Sequence, residues 1–517
     1  MNSPLVRRPG PGVGTGLTPP SRSPRRAGAS APACPRSLKP ALYVSVVVML
    51  FVGAGCAVRR PYQVPVPEAP AVWTKPAPAP SAETPGASGE ALAAWWETFG
   101  DPQLTSLVRR AVAGNLDVRT SLSRLREARA SVRSSRSSLK PTVDASGSAR
   151  FSGTGGGDGP GSTSQSYSIG LDASWEVDVF GGIRSAIDAA TATAEARDAD
   201  LRDVLVSLTA EVALDYIDVR SLQRRLEIAR ANVALQSETL ELTQFRAQAG
   251  LATELDVQQA LSNVESTRAQ IASLEAQASQ AIHAVAVLLG QPPSTLDQDL
   301  SGAGVIPTAP IAVTLGVPAE TLRRRPDVRS AERQLAAQFA QVNAARADLY
   351  PSFRLAGSIG LESLSLARLL VPGASFWSGS PSVSTRLFNR EQLRQNLVIQ
   401  SERQEQAARA YQSQVLRALQ DVEDSLTALA QEQVRRDHLS AAAAAAEQAA
   451  DLSLQLYTAG LRDFRDVLDA QRSLLSLQDS LATSSAGIAT DLVRLYKALG
   501  GGWSATSLLP EPVPSGS

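Results

Sequence analysis

The chain repeats itself. Asp117, Val118, Leu125, Leu139, Pro141 and Gly147 recur as Asp327, Val328, Leu335, Leu349, Pro351 and Gly357, each 210 positions later. Much further along, Ala249-Gly250-Leu251, Asp256-Val257 and Leu289-Gly290 match Ala459-Gly460-Leu461, Asp466-Val467 and Leu499-Gly500 at the same offset. One register held across two distant blocks marks a duplicated unit of about 200 residues. The boundaries that follow are a first repeat over 89–290, a linker over 291–317, a second repeat over 318–503 and a flexible tail over 504–517.

Proline usage says where long helices can run. Of 32 prolines, 17 lie in the first 85 residues, and none falls between Gly182 and Gln291 or between Ser382 and Leu509. From Leu205 the apolar positions run Leu208, Val212, Val219, Leu222, Leu226, Ala229 and Val233, with Asp215 in the one missing slot. Steps of three and four predict a coiled-coil helix. Over Ile183–Ala247 it would be roughly 100 Å long at 1.5 Å per residue. Helices near Pro102–Leu139 and Asp256–Leu289 are about half that, so two placed end to end would match the long one and give a four-helix bundle per unit.

Between the helices the period changes to two. Tyr167, Ile169, Leu171, Ala173, Trp175, Val177 and Val179 alternate with Ser168, Gly170, Asp172, Ser174, Glu176 and Asp178. Val143–Phe151 and Phe353–Leu361 alternate likewise, and a weaker strand is expected around Val383–Leu387. One apolar and one polar face suits a membrane β-barrel, where lipid and lumen sides alternate. A half-buried soluble hairpin would show the same alternation, but two such hairpins set between very long helices favour the barrel. Four strands cannot close one, and open edges are intolerable in lipid. Three copies would supply twelve, an even number within the known range. The Gly-rich stretch Gly153–Gly161 reads as a hairpin loop.

Charge and rare residues narrow the function. Residues 1–56 carry seven Arg/Lys and no acid, which leaves 43 bases against 50 acids beyond them, a net of −7. Such a chain is ill suited to nucleic acid, whose phosphates demand Lys/Arg clusters. Two cysteines and two histidines leave no nucleophile–His–acid set and no metal cluster, so the expectation is a non-enzyme without cofactor or metal. His283 and His438 read as surface helix residues. Leu42–Gly55 is the one long apolar stretch, short of the ~18 residues of a membrane-crossing helix. Its basic lead and small-residue end read as a signal peptide over 1–55. The small-residue run ends on Cys56, which resembles a lipobox with Gly53 in place of the usual leucine; an ordinary signal peptide containing a cysteine is the alternative. A Pro-rich tether follows over 56–88.

Several stretches together resemble the TolC-type outer-membrane efflux factors in their lipoprotein, NodT/OprM-like branch. They include Trp95-Trp96, Phe99-Gly100-Asp101-Pro102, Trp175-Glu176-Val177-Asp178-Val179-Phe180-Gly181 and Arg325-Pro326-Asp327-Val328. Ala344–Pro351 and Ala498-Leu499-Gly500-Gly501-Gly502-Trp503 complete the set, in family order over some 400 residues. One departure is Phe388-Asn389-Arg390, where the family has a glycine-containing turn.

The resemblance implies a mainly α chain with membrane β: a homotrimer whose 12-stranded outer-membrane β-barrel continues into a long periplasmic coiled-coil α-barrel. It implies a passive efflux duct, lipid-anchored through Cys56 in the outer membrane. A periplasmic adaptor (membrane fusion protein) would join it to an inner-membrane resistance-nodulation-division transporter. The exit channel of a one-step protein secretion system shares the fold. A coiled-coil adaptor lipoprotein would need no lipid-facing strands. Carried over by position, a periplasmic gate falls on Asp256, Tyr457 and Arg462, and a cation-selective constriction on Asp466 and Asp469. The residues also allow a plainer reading. Thr253 with Asp256, and Asp463 with Asp466, have the spacing of helix capping boxes.

Overall fold

The computed structural model describes residues 60–65, 70, 73, 92–155, 162–302, 304–310 and 318–503. Contacts divide the chain into Met1–Ala54 and Gly55–Ser517, and all described residues belong to the second unit. The leader, Cys56 and the tail over 504–517 lie outside the described residues.

Seven helices and four strands carry the fold: α1 (Pro102–Gly114), α2 (Leu116–Ser137), β1 (Thr142–Thr154), β2 (Ser162–Val177), α3 (Gly182–Gln248) and α4 (Glu254–Leu288) in the first half. The second half has α5 (Pro326–Ala347), β3 (Ser352–Ser363), β4 (Ser375–Ser384), α6 (Arg390–Thr458) and α7 (Phe464–Ala498). Short helical turns fill the connections. Helices α3 and α6 have 67 and 69 residues, each about 100 Å long. No described helix is long and apolar enough to cross a membrane.

The bundle expected within each unit is instead shared between the units. On the strand side, α3 packs between α2 and α5, and α5 packs on α6; on the other side, α3 packs between α4 and α7, and α7 packs on α6. The result is four helices abreast, not a closed bundle, because α3 is flanked by short helices of both repeats. The single helix expected over Pro102–Leu139 is also two. Gly114 touches the end of α4 so closely that a Cβ there would overlap the Leu289 carbonyl. Asn115 restarts the helix: its Oδ1 accepts from the amides of Asp117 (2.8 Å) and Val118 (3.0 Å), and its Nδ2 donates to the Leu288 carbonyl at 2.9 Å. Here the two short helices meet end to end.

The second unit makes the same joint with different chemistry. Arg325, 210 positions after Asn115, donates to the Ala498 carbonyl at 3.0 Å and to Asp327 and Asp421 at 2.7 and 2.8 Å. Burial alone would push the Asp327 carboxyl up, but Arg325, the Val328 amide and Gln414 together hold it below the usual range. The main core lies at this level, around Trp95, Leu104, Tyr216, Val285, Leu429 and Leu492.

The apolar seam of α3 is buried at Leu205, Leu208, Val212, Val219, Leu222, Leu226 and Ala229. Beyond it the buried position is Asn232, not Val233, and the seam turns polar through Gln236, Thr239 and Thr243. Three of these side chains find partners across the layer, Asn232 with Gln478 (2.9 Å), Gln236 with Thr267 (2.9 Å) and Thr239 with Gln471 (2.8 Å), and Thr243 bonds back to the Thr239 carbonyl at 2.8 Å. Buried polar groups are tolerated when so paired.

The strands form one antiparallel sheet in the order β1-β2-β3-β4. The register puts Val143 opposite Ala173, Leu171 opposite Ile359 and Ile359 opposite Trp377 on one face. On the other it puts Ser148 opposite Ser168, Glu176 opposite Arg354 and Ser358 opposite Ser378. The apolar face is left open, with Phe151 68%, Ile359 63% and Trp377 83% exposed. Strand boundaries differ from expectation in two places. β2 begins at Ser162, five residues early, because the serine-rich start still pairs with β1. The strand expected at Val383–Leu387 is Ser375–Ser384, whose Ser, Gly and Pro content hid it. The departure at Phe388-Asn389-Arg390 also resolves. Asn389 takes φ 61°, the left-handed conformation that Gly181 (φ 80°) takes before α3, and asparagine is one of the few residues to adopt it readily.

The stretch 60–65 lies along α5. Asn343 Nδ2 donates to the Arg60 carbonyl at 3.1 Å, and the Tyr62 hydroxyl donates to Glu332 Oε1 at 2.8 Å. The Tyr62 ring sits 5.5 Å from that of Phe339. Burial, then the Glu332 carboxylate, pushes the Tyr62 hydroxyl up from its ordinary value, so it stays a donor.

Candidate functional site at the hairpin turns

Both turns between a long helix and its short partner close in the same way. Gly250 (φ 74°) and Gly460 (φ 73°) are left-handed. Leu251 donates to the Arg246 carbonyl at 2.8 Å and Gly250 to Ala247 at 3.0 Å; Leu461 donates to Leu456 at 2.8 Å and Gly460 to Tyr457 at 3.0 Å. This is the glycine-closed helix end, in which two orphan carbonyls regain donors. It leaves Leu251, Leu255 and Leu461 between 62% and 69% exposed.

The carboxylate of Asp256 is used inside its own turn. Its Oδ2 accepts from the Thr253 amide at 2.9 Å and hydroxyl at 2.8 Å, while the Thr253 hydroxyl accepts from the Asp256 amide at 3.3 Å. That is a full capping box. The link expected from Asp256 to Tyr457 and Arg462 is therefore not made within one protomer, because the local partner is three residues away. Arg462 instead reaches Asp466, Nη1 to Oδ2 at 3.4 Å, with both side chains exposed. One residue of the expected gate and one of the expected constriction are thus paired with each other. Asp463 caps α7 without a side-chain bond. Asp469 is exposed, and its carboxylate has no hydrogen bond or ion pair among the described residues.

Tyr457 is 4% exposed, in a small cluster with Ala260, Phe464, Val467 and Leu468. Its ring meets that of Phe464 edge-on at 5.6 Å. Over its face, at 4.6 Å, lies the guanidinium of Arg246, whose Nη1 also donates to the Thr458 carbonyl at 3.0 Å. Sequence reasoning missed Arg246. The available signal was a cation in the last turn of a helix, beside the negative end of its dipole. The Tyr457 hydroxyl and Arg246 Nε are both buried without a partner among the described residues. Two orphaned donors in one cluster are a place where an acceptor is wanted.

Comparisons with known proteins complete the description. The family described as outer membrane efflux protein matches the chain twice, over 107–291 and 317–501, and the two matches are themselves 210 residues apart. Nodulation protein T of Rhizobium leguminosarum bv. viciae is 34% identical over 415 residues, covering 80% of this chain and 85% of that protein. The toluene efflux pump outer membrane protein TtgI of Pseudomonas putida is 32% identical over 476 residues, covering 89% and 97%. The solved outer-membrane channel OprN superimposes with a TM-score of 0.81 at 34% identity, over 87% of this chain and all of that one.

Proposed function

The chain belongs to the outer membrane efflux protein family, and from that premise we infer that it is the passive exit duct of a tripartite efflux pump, built from three copies. One observation carries this reading. The four-stranded sheet has an open apolar face, and among the described residues its edge strands β1 and β4 have no second neighbour. In lipid each unpaired backbone group costs several kcal/mol, so the edges must be closed. Three copies set edge to edge give a twelve-stranded barrel, and the helices abreast below it give its periplasmic wall. Toxic small molecules pass through. An inner-membrane resistance-nodulation-division transporter drives them, joined by a periplasmic adaptor. The exposed leucines of both hairpin turns suit such a helical partner, since apolar tips in water favour cover.

Cys56 is the lipid anchor in this reading, and its position in the chain supports it. It is only four positions before Arg60, which sits beside Asn343 near the strand end of α5. Four residues span at most about 14 Å in any conformation, so an acyl group there stands close to the base of the barrel.

Asp256, Tyr457 and Arg462 act as the resting latch between copies. The Asp256 carboxylate keeps Oδ1 free, Arg462 is held only by an exposed pair worth about 0–1 kcal/mol, and the Tyr457 hydroxyl, buried without an acceptor, reaches one only when its cluster opens. Asp466 and Asp469, three apart on one helix face, form the cation-selective constriction when repeated in three copies. Single-channel conductance in a planar bilayer tests the latch. The Asp256→Ala, Arg462→Ala double variant is expected to conduct several-fold more than wild type. Thr253→Ala, which breaks the cap but keeps the carboxylate, is expected to conduct as wild type. Equal widening by both variants would reduce Asp256 to a helix cap.

A further inference from the structure

The sheet repeats with the same offset as the sequence. Thr142 pairs with Ser174 in the first hairpin and Ser352 with Ser384 in the second; Phe151 pairs with Gln165, and Leu361 with Ser375. Adding 210 to both residues of a β1–β2 pair therefore yields a β3–β4 pair, all the way from Thr142 to Phe151. One contact has no counterpart within the protomer, namely β2 with β3, which shifts to β4 with a β1 that this chain cannot supply to itself.

Resting on the three-copy reading, we propose that β4 of one copy joins β1 of the next in the register that pairs β2 with β3, with Arg386 forming an ion pair to the neighbouring copy's Asp144. Within the protomer Trp175, Glu176 and Val177 pair with Leu355, Arg354 and Phe353. Shifted, these become Thr385, Arg386 and Leu387 opposite Ala145, Asp144 and Val143 of the next copy. The shift turns the Glu176–Arg354 ion pair (3.4 Å) into Arg386–Asp144, with the charges exchanged between strands.

Three independent features of the protomer agree. Asp144 stands directly opposite Asp172, and like charges facing each other across strands are unfavourable without a counter-charge. Arg386 is exposed, and among the described residues its side chain makes one long bond, to Gln392 at 3.4 Å, with the Asp348 carboxylate near enough to feel its charge but not paired with it. Residues 385–387 continue β4 but are not strand here, while their counterparts in β2 extend past the end of β1 and pair only with β3. The faces match as well, because Leu387 and Val143, 73% and 63% exposed in the protomer, would meet on the apolar side. A slip of one residue would turn every apolar side chain to the wrong face, and a slip of two would put Arg386 opposite Ser146.

Cysteine cross-linking of the full-length protein in outer membranes tests the register. Ser148→Cys with Ser382→Cys stand directly opposite in the proposed pairing and are expected to give covalent dimers and trimers under mild oxidation. Ser148→Cys with Ser380→Cys are diagonal neighbours about 7–8 Å apart, beyond comfortable disulfide reach, and are expected to link at least five-fold less. A second measurement uses the charges. Asp144→Arg and Arg386→Asp should each lower the temperature at which trimers fall apart in detergent gels, and the double exchange should restore it. Stronger linking by the diagonal pair, or no rescue by the exchange, would overturn the register while leaving a native-gel trimer, and so the channel reading, intact. A protein that runs as a monomer on native gels would overturn both.

Discussion

Asp203 shows how a single side chain can answer to pH. It lies on α3 beside the joint where Arg325 ties α5 to α7, and burial pushes its carboxyl up to about 6, with the charge of Asp327 adding and Arg325 and Lys497 opposing. An acid raised in the folded state favours its protonated form there. Its contribution is therefore complete below the unfolded value near 4, and is lost as pH rises through about 6. Asp203→Asn is expected to add about 1–2 kcal/mol to stability at pH 8, after discounting for partial exposure, and nothing at pH 4. Circular-dichroism melts in detergent at the two pH values measure this; an equal gain at both would show an effect unrelated to ionisation. Asp256 carries a different lesson, since one carboxylate can serve as a cap within its helix and still offer its second oxygen to a neighbour.

At the scale of elements, the strands depend on glycines where two backbones approach. Gly170 lies opposite Gly360, and a Cβ on Gly360 would fall 2.8 Å from the Gly170 Cα and inside the Ile169 carbonyl oxygen. Gly147, one strand away, has only the Ser168 carbonyl at 3.9 Å. Gly360→Ala should force β2 and β3 apart at a cost of about 1–3 kcal/mol and reduce the yield of heat-resistant trimers, whereas Gly147→Ala should not. Gel migration with and without heating reads the difference. The helices show the complementary effect. Their ends are fixed by local chemistry, with glycine closing each hairpin turn and Thr253 or Asn115 reopening the next helix.

At the scale of the molecule, the strap of residues 60–65 joins the amino-terminal end to the helical wall. Between Cys56 and Arg109 the basic residues are Arg59, Arg60 and Lys75, and proline follows both Arg60 and Lys75. Trypsin therefore has one susceptible bond there, Arg59–Arg60, and Tyr62 must leave its seat for that bond to enter the protease. Tyr62→Ala is expected to speed this cleavage at least ten-fold, with Tyr62→Phe intermediate because it keeps the Phe339 contact and loses the Glu332 bond. Intact mass follows the loss of the amino-terminal piece and reports any acyl group on Cys56 separately. Cleavage at the wild-type rate in Tyr62→Ala would mean the seat does not protect the strap.

The amino-acid sequence by itself determined the duplication, the alternation of long helices with two-faced strands, the glycine turns and the positions of the two acidic patches near them. All of these rest on local periodicity or local backbone preference, which a run of ten to twenty residues already expresses. Only the tertiary structure decided the rest. The break at Gly114–Asn115 depends on the end of α4, some 170 residues away, pressing against it. The sharing of each helical layer between repeats, the polar end of the α3 seam and the stacking of Arg246 on Tyr457 depend on which helices become neighbours. The same holds for β4, whose Ser375–Ser384 is a poor strand by composition and becomes one because β3 offers it a backbone to pair with. Partners distant in sequence leave no periodic trace, so contacts of that kind become visible only once the chain is folded.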